Sequence, residues 1–216
     1  MPGTLSGIKD MHRETGKENR NTRRDDHLSE IYSKALDLFI ENGYDGTSMS
    51  MIARVLGMSK ANLYYYFPNK ESLFYNIHVD FLKKHFIPIL DEAERLPDPK
   101  DRIAHFLRKL TLLQASSKTG RVLFHENESL NKAHHVEITS IWRRAYELIR
   151  NAIRELQQTG NARHLRDSFL TFIALGMANW TVYWFDYGRQ VNSEELAESI
   201  VETFFNGLLY PGRENH

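Results

Sequence analysis

Between Gly46 and Asn69 the chain carries two short apolar-periodic segments, TSMSMIARVL and SKANLYYYF, separated by Gly57 and Met58. Each opens on side chains whose oxygens cap helices, Thr47 or Ser48 in the first and Ser59 in the second. Gly57 ends the first, because glycine takes left-handed backbone at a helix C-terminus without a Cβ penalty. Pro68 ends the second, because the residue before a proline avoids the α region. Met49, Ile52, Ala53 and Leu56 share one face of the first segment, and Leu63 and Phe67 lie one turn apart on the inner face of the second. A capped helix, a glycine turn and a second capped helix have the spacing of a helix-turn-helix.

The remainder reads as helix almost throughout. Alternating strand patterns are absent and 6 prolines interrupt the chain. A helix over 26–42 places Ile31, Ala35, Leu38 and Phe39 on one face, and Gly43 stops it. After Pro68 a helix runs from about Asn69 towards Arg95 with a bend or break at Pro88. LPDPKD is a loop. Helices over about 100–116, 120–130 and 134–158 follow, the last carrying Ile138, Ile141, Ala145, Leu148, Ala152 and Leu156. TGNAR is a turn. A helix over about 165–187 is apolar nearly all round, which predicts burial on more than one side. Ser193 caps a last helix with Ala197, Ile200, Val201, Phe204 and Leu208 in a stripe. The expectation is an all-α protein of about nine helices. Residues 1–22 form a polar, aperiodic arm, 23–68 a three-helix head, and 69–216 a helical body that begins with a connecting helix over 69–95.

Composition narrows the function classes. Lys plus Arg number 28 and Asp plus Glu 28, so the chain as a whole is not a basic glue for nucleic acid and any such contact is a local patch. The absence of cysteine excludes disulfides and thiolate metal sites. The N-terminal stretch lacks an apolar signal core, and the apolar run 170–185 is too short for a membrane span of about 20 residues. A soluble cytoplasmic protein without membrane partners is the expectation.

In a helix-turn-helix the second helix enters the major groove with its N-terminal residues on base edges. With Leu63 and Phe67 turned inward, Lys60, Ala61, Asn62, Tyr64 and Tyr65 remain for the outer surface. The run GYDGTSMSMIARVLGMSKANLYYYFPNKESLF resembles the DNA-binding head of the TetR family of regulators. It has the glycine-aromatic, the Thr-Ser cap, Ile-Ala, the glycine turn with serine, Leu-Tyr-x-x-Phe and Lys-Glu, in order and at the family spacing. The resemblance covers about residues 23–75.

It implies that Thr47 and Ser48 cap the second helix and reach a phosphate. It places Ser50 and Arg54 near backbone or a flanking base. Lys60, Ala61 and Asn62 would meet guanine, a thymine methyl and adenine respectively, and Tyr64 and Tyr65 a thymine methyl or phosphate. Lys70 would pair with a phosphate, and Arg23 and Arg24 would reach the backbone or minor groove. The structural alternatives stand beside these. Tyr66 is partly buried, Arg54 is a solvated surface charge, and Asn62 satisfies a local backbone group.

For the body the resemblance implies a homodimer joined through the last two long helices, and a small-molecule effector. GMANWTVYWFDYG, with FHENESLN and His134-His135, is similar to the bodies of TetR-like regulators of fatty-acid and acyl-CoA metabolism. That points to an acyl-CoA or another small hydrophobic effector, with Phe124, Asn179, Trp180, Tyr183 and Trp184 as lining residues. Arg143, Arg144, Arg150, Arg163 and Arg166 are available for a CoA phosphate; ordinary core and dimer packing is the alternative for the rings. The functional expectation is a repressor, a dimer on a near-palindromic operator released by effector. Regulators of drug efflux and activators share such a head. His125, Glu126, Glu128, His134 and His135 lack the His-Glu-x-x-His spacing, so no metal and no cofactor are assigned. A helical metal-dependent enzyme that merely carries a helix-turn-helix is the rival from another class, but no catalytic motif is found.

Overall fold

A computed structural model describes the backbone of residues 6–116, 118–125, 129–184 and 192–208; the side chains of 6–24, 118, 121, 124, 125 and 184 are outside the description. Among the described residues there is no β-strand. The chain divides into two compact units, Met1–Leu73 and Phe74–His216. The division falls a few residues beyond the head–body boundary that the sequence predicts.

In the first unit α1 (Ser6–Gly46), α2 (Met49–Val55) and α3 (Lys60–Tyr66) enclose a small core of Ile31, Ala35, Phe39, Ile52 and Leu63, each no more than 1% exposed. The helical geometry of α1 is broken at Gly43, where φ is +74°. The backbone of 6–22 is helical and continuous with α1, where composition predicts an aperiodic arm. Glu, Lys, Arg and Met there are good helix formers, and local propensity needs no apolar stripe.

The second unit begins within α4 (Lys70–Phe81), which passes through a π-helical turn, Leu82–Phe86, into α5 (Ile87–Glu94). Two features account for the π turn where the sequence predicts only a bend at Pro88. The buried residues Phe74, His78, Leu82, Phe86 and Leu90 are spaced by four, and each such step overshoots an α-turn by about 40°. A wider turn takes up part of that drift. Pro88 also lacks an N–H and its ring crowds the carbonyl four residues back, so an α-helical ladder cannot continue through it. Instead the Ile87 N–H bonds to the Leu82 carbonyl.

Helix α6 (Pro99–Ser116) packs against α5, α7 (Lys118–His125), α8 (Lys132–Gln158), α9 (Asp167–Asn179), α10 (Thr181–Trp184) and α11 (Ser193–Leu208). Its buried residues Ile103, Phe106, Leu107, Leu110, Thr111, Gln114 and Ala115 form two adjacent stripes, as a centrally placed helix requires. Arginine–carboxylate pairs tie the edges: Arg102 to Glu155, Arg108 to Glu198, Arg144 to Asp91 and Glu94, and both Arg150 and Arg154 to Asp167. The apolar run predicted as one helix over 165–187 is divided at Trp180, the C-cap of α9. Leu170, Thr171, Ala174 and Ala178 of α9 are buried, whereas Leu165, Phe169, Phe172, Ile173 and Trp180 are each more than half exposed. No helix among the described residues is long and apolar enough to cross a membrane.

Candidate nucleic-acid interface and effector cavity

The helix-turn-helix is built from caps. Ser48 Oγ accepts from the Met51 N–H at 3.2 Å and Ser59 Oγ from the Asn62 N–H at 3.1 Å, each satisfying an orphan donor of a first turn. Gly57 has φ +65°, and the Gly57 and Met58 N–H groups close on the Arg54 and Ala53 carbonyls. That is a Schellman turn, and a side chain at position 57 would strain it. α3 is thereby started by one serine, ended at Phe67 and anchored inward by Leu63 and Phe67, 0% and 3% exposed.

With the inner side filled, Lys60, Ala61 and Asn62 are exposed at the N-terminal end of α3. Tyr65 is 84% exposed and Tyr64 43%. Tyr66 is half-buried, its ring edge-on to His27 at 5.6 Å. The three consecutive tyrosines therefore divide into an outward pair and one that packs against α1. On α2, Arg54 is exposed and Ser50 half-buried.

Thr47 is a correction. It is 1% exposed; its hydroxyl lies 3.0 Å from the Leu38 carbonyl and 2.8 Å from that of Gly43, and its N–H donates to Tyr44. It ties α2 to the end of α1 and leaves both the capping and the solvent-facing role to Ser48. Lys70 is also partly occupied. Its ammonium donates to the Tyr44 carbonyl at 2.6 Å and sits 4.1 Å from the Tyr44 ring centre. An ammonium has three N–H donors, so this contact leaves donors for a phosphate. Arg23 and Arg24 have side chains outside the described residues.

The second unit contains a mostly enclosed cavity of about 10 Å³, room for about one water. Phe81, Leu82, Phe86, Leu110, Leu113, Leu123 and Trp142 wall it, with His78, Gln114 and Gly120. Glycine at 120 lets α7 approach α6: a Cβ there would lie 2.6 Å from Gln114 Oε1. His78 is 3% exposed, and burial in these surroundings lowers its pKa to about 4, so the imidazole is neutral at pH 7. This cavity was missed in the sequence because its residues come from five segments up to about 60 positions apart, with no local signature.

Of the effector residues expected from the sequence, Asn179, Trp180 and Tyr183 lie outside this cavity. Asn179 is half-buried and accepts from Gln114 Nε2 at 3.4 Å, one residue removed from the cavity. Trp180 is 58% exposed, packed edge-on to Tyr183. Neither these two nor Tyr183 lines the cavity, because α9 ends at Trp180 and turns that ring outward. The Phe124 and Trp184 side chains lie outside the described residues. Of the arginines available for a phosphate, Arg144 and Arg150 are committed to carboxylates, Arg166 lies over the Phe169 ring, and Arg143 and Arg163 are exposed.

His134 stacks on Tyr75 at 3.7 Å, and the Tyr75 hydroxyl bonds to Glu137. No cluster of three metal-ligating side chains occurs among the described residues; His125, Glu126 and Glu128 lie outside them.

A capped helix-turn-helix with an exposed polar and aromatic reading face, followed by a helical body, defines a DNA-binding regulator. The comparisons with known proteins place it further. Residues 31–77 match the model of bacterial regulatory proteins of the tetR family, and residues 97–208 match a tetracyclin repressor-like C-terminal domain. The chain belongs to the TetR family of transcriptional regulators and is not an enzyme.

Two curated relatives match over short stretches of the chain. RutR of Escherichia coli is 52% identical over 44 residues, 20% of this chain and 21% of RutR. IcaR of Staphylococcus epidermidis, a negative transcriptional regulator of a biofilm operon, is 39% identical over 59 residues, 24% of this chain and 32% of IcaR. The chain thus matches between a fifth and a third of the length of these relatives. Solved structures extend the likeness through the body. AibR in complex with isovaleryl coenzyme A and operator DNA superposes with a TM-score of 0.73 at 26% identity, over 82% of this chain and 97% of AibR. PfmR of Thermus thermophilus gives 0.75 at 26%, over 82% and 97%.

Proposed function

We propose that this regulator is a repressor: a dimer that holds a near-palindromic operator through its two heads and is released by a small hydrophobic effector, an acyl-CoA thioester. The observation that carries the DNA half is the outer face of α3, where Lys60, Ala61, Asn62, Tyr64 and Tyr65 stand exposed while Leu63 and Phe67 anchor the helix from behind. Lysine suits guanine acceptors, asparagine the paired donor and acceptor of adenine, and alanine a thymine methyl. The tyrosines offer hydroxyls to phosphates and rings to methyls without adding charge, which suits a chain of balanced charge. Ser48 and Lys70 flank this face as phosphate contacts.

The dimer reading rests on α9. Phe169, Phe172, Ile173 and Trp180 fall at i, i+3, i+4 and i+11, a stripe of large apolar side chains exposed on the single chain, with exposed Leu165 just before the helix. Such a stripe is the kind of patch that a self-complementary interface covers. Two recognition helices related by a two-fold axis then read half-sites about 34–36 Å apart, one turn of DNA.

Support for the effector class comes from the apolar cavity and from AibR, which binds isovaleryl coenzyme A. α4 carries head residues at its start and cavity residues further on, so an effector that displaces His78 and Phe81 acts on the helix that leads to the reading head. Release requires the effector to prefer the form that does not fit the operator; equal affinity for both forms shifts nothing.

A gel shift on DNA upstream of the protein's own gene tests the reading. Specific, salt-sensitive retardation, relieved by isovaleryl-CoA and relaxed in specificity by Lys60→Ala, is expected. Retardation indifferent to sequence would refute it.

A further inference from the structure

The cavity of the second unit has one chemical feature that its apolar walls do not explain. His78 Nδ1 is buried and has no hydrogen-bond partner among the described residues. Buried polar atoms are ordinarily paired, and an exception points to an unfilled role. Phe81, Leu82, Phe86 and Leu110 contribute apolar side chains to the wall, and among the described lining residues Gln114 and the Trp142 indole also carry polar atoms. Among the described residues no Asp, Glu, Lys or Arg lines the cavity. An ionised group entering here would lose its hydration and find no counter-charge. The histidine does not supply one, because burial keeps it neutral at pH 7. A neutral imidazole nitrogen instead offers one hydrogen bond, as donor or acceptor according to tautomer.

The wall also has a part suited to yield. Leu82 and Phe86 sit on the π turn, and single π turns interrupt helices frequently at functional sites. The space holds about one water, so a larger occupant must push wall side chains outward.

We propose that the cavity around His78 receives the uncharged, hydrogen-bonding end of the effector, a carbonyl or hydroxyl on an aliphatic group, and refuses a carboxylate. The proposal rests on the reading of the body as an effector domain and adds the chemistry by which that domain chooses. A thioester carbonyl meets this requirement with Nδ1 carrying the proton; the corresponding free acid, ionised at pH 7, does not.

The test uses the full chain with ¹⁵N-labelled histidine, observed by NMR at pH 7, the His78 signal being identified by its loss in His78→Asn. The probes are isovaleryl-CoA, CoA alone, 3-methylbutan-1-ol, isovaleramide and isovalerate. The thioester, the alcohol and the amide are expected to move the His78 Nδ1 resonance, and isovalerate at equal concentration to leave it in place. His78→Leu is expected to bind isovaleryl-CoA about tenfold more weakly, with its affinity for CoA alone unchanged. His78→Asn, whose amide nitrogen stands near the Nδ1 position, should recover most of that loss. Thermal melting of each variant establishes that it is folded.

Isovalerate binding as well as the alcohol would overturn the proposal. So would unchanged thioester affinity in a folded His78→Leu, or a resonance that no probe moves, which is the behaviour of a trapped water only. If the alcohol and amide bind at His78 but isovaleryl-CoA does not, the site stands and the acyl-CoA reading fails. If isovaleryl-CoA binds while His78 is silent, the reverse holds.

Discussion

Thr47 and Ser48 show how two adjacent capping residues divide their work. Either hydroxyl suits a helix N-terminus, but Thr47 is drawn inward to the carbonyls of Leu38 and Gly43 and Ser48 takes the cap. Thr47→Val should therefore cost about 1 kcal/mol of unfolding free energy in urea denaturation while leaving operator affinity of the folded protein unchanged. A large affinity loss with no stability loss would put Thr47 back on the DNA. For Lys70→Ala the account expects weaker binding to all sequences alike and a salt slope smaller by about one, measured by fluorescence anisotropy. A lower melting temperature with an unchanged slope would confine Lys70 to its contacts with Tyr44.

His78 makes a prediction about pH. Its folded pKa of about 4 lies below its ordinary 6.5, so between those values the unfolded chain binds more protons. Stability is thus fully present above about pH 6.5 and falls as the pH drops towards 4. From pH 7 to pH 5 the loss from this group is about 2 kcal/mol. The difference between wild type and His78→Leu in urea titrations at the two pH values isolates it.

At the scale of elements, what was legible in the sequence was whatever local chemistry decides. Ser48 and Ser59 among the candidate caps, Gly57 as the turn, Leu63 and Phe67 as the inner face, and Tyr64 and Tyr65 as the outward pair all follow from spacing and capping. Features that depend on distant partners were not. The choice between Thr47 and Ser48 depends on the end of α1. The π turn depends on which residues of α4 and α5 are buried, and the cavity on five segments meeting. Large aromatics with polar tips, as in 176–188, suit a pocket lining, yet Trp180 faces out at the end of the α9 stripe. That stripe carries the dimer prediction. Phe172→Glu should place a charge at its centre, convert the protein to a monomer by native mass spectrometry and weaken operator binding at least tenfold, by loss of the second half-site. A dimer that persists would move the interface elsewhere.

At the scale of the molecule, the proposed function separates reading from sensing. The first unit carries the exposed helix α3, the second the mostly enclosed cavity and the apolar stripe, and α4 has residues in both. Arg102, Arg108, Arg144, Arg150 and Arg154 of the body pair with carboxylates that fasten its helices. The central claim is that a dimer reads DNA by sequence through α3. Selection of bound fragments from a random DNA pool by the purified full chain, followed by sequencing, tests it most directly. The account predicts enrichment of an inverted repeat with half-sites one turn apart, lost in Tyr65→Ala combined with Asn62→Ala. A pool that stays unenriched through successive rounds, or an inverted repeat still selected by the double variant, would contradict it.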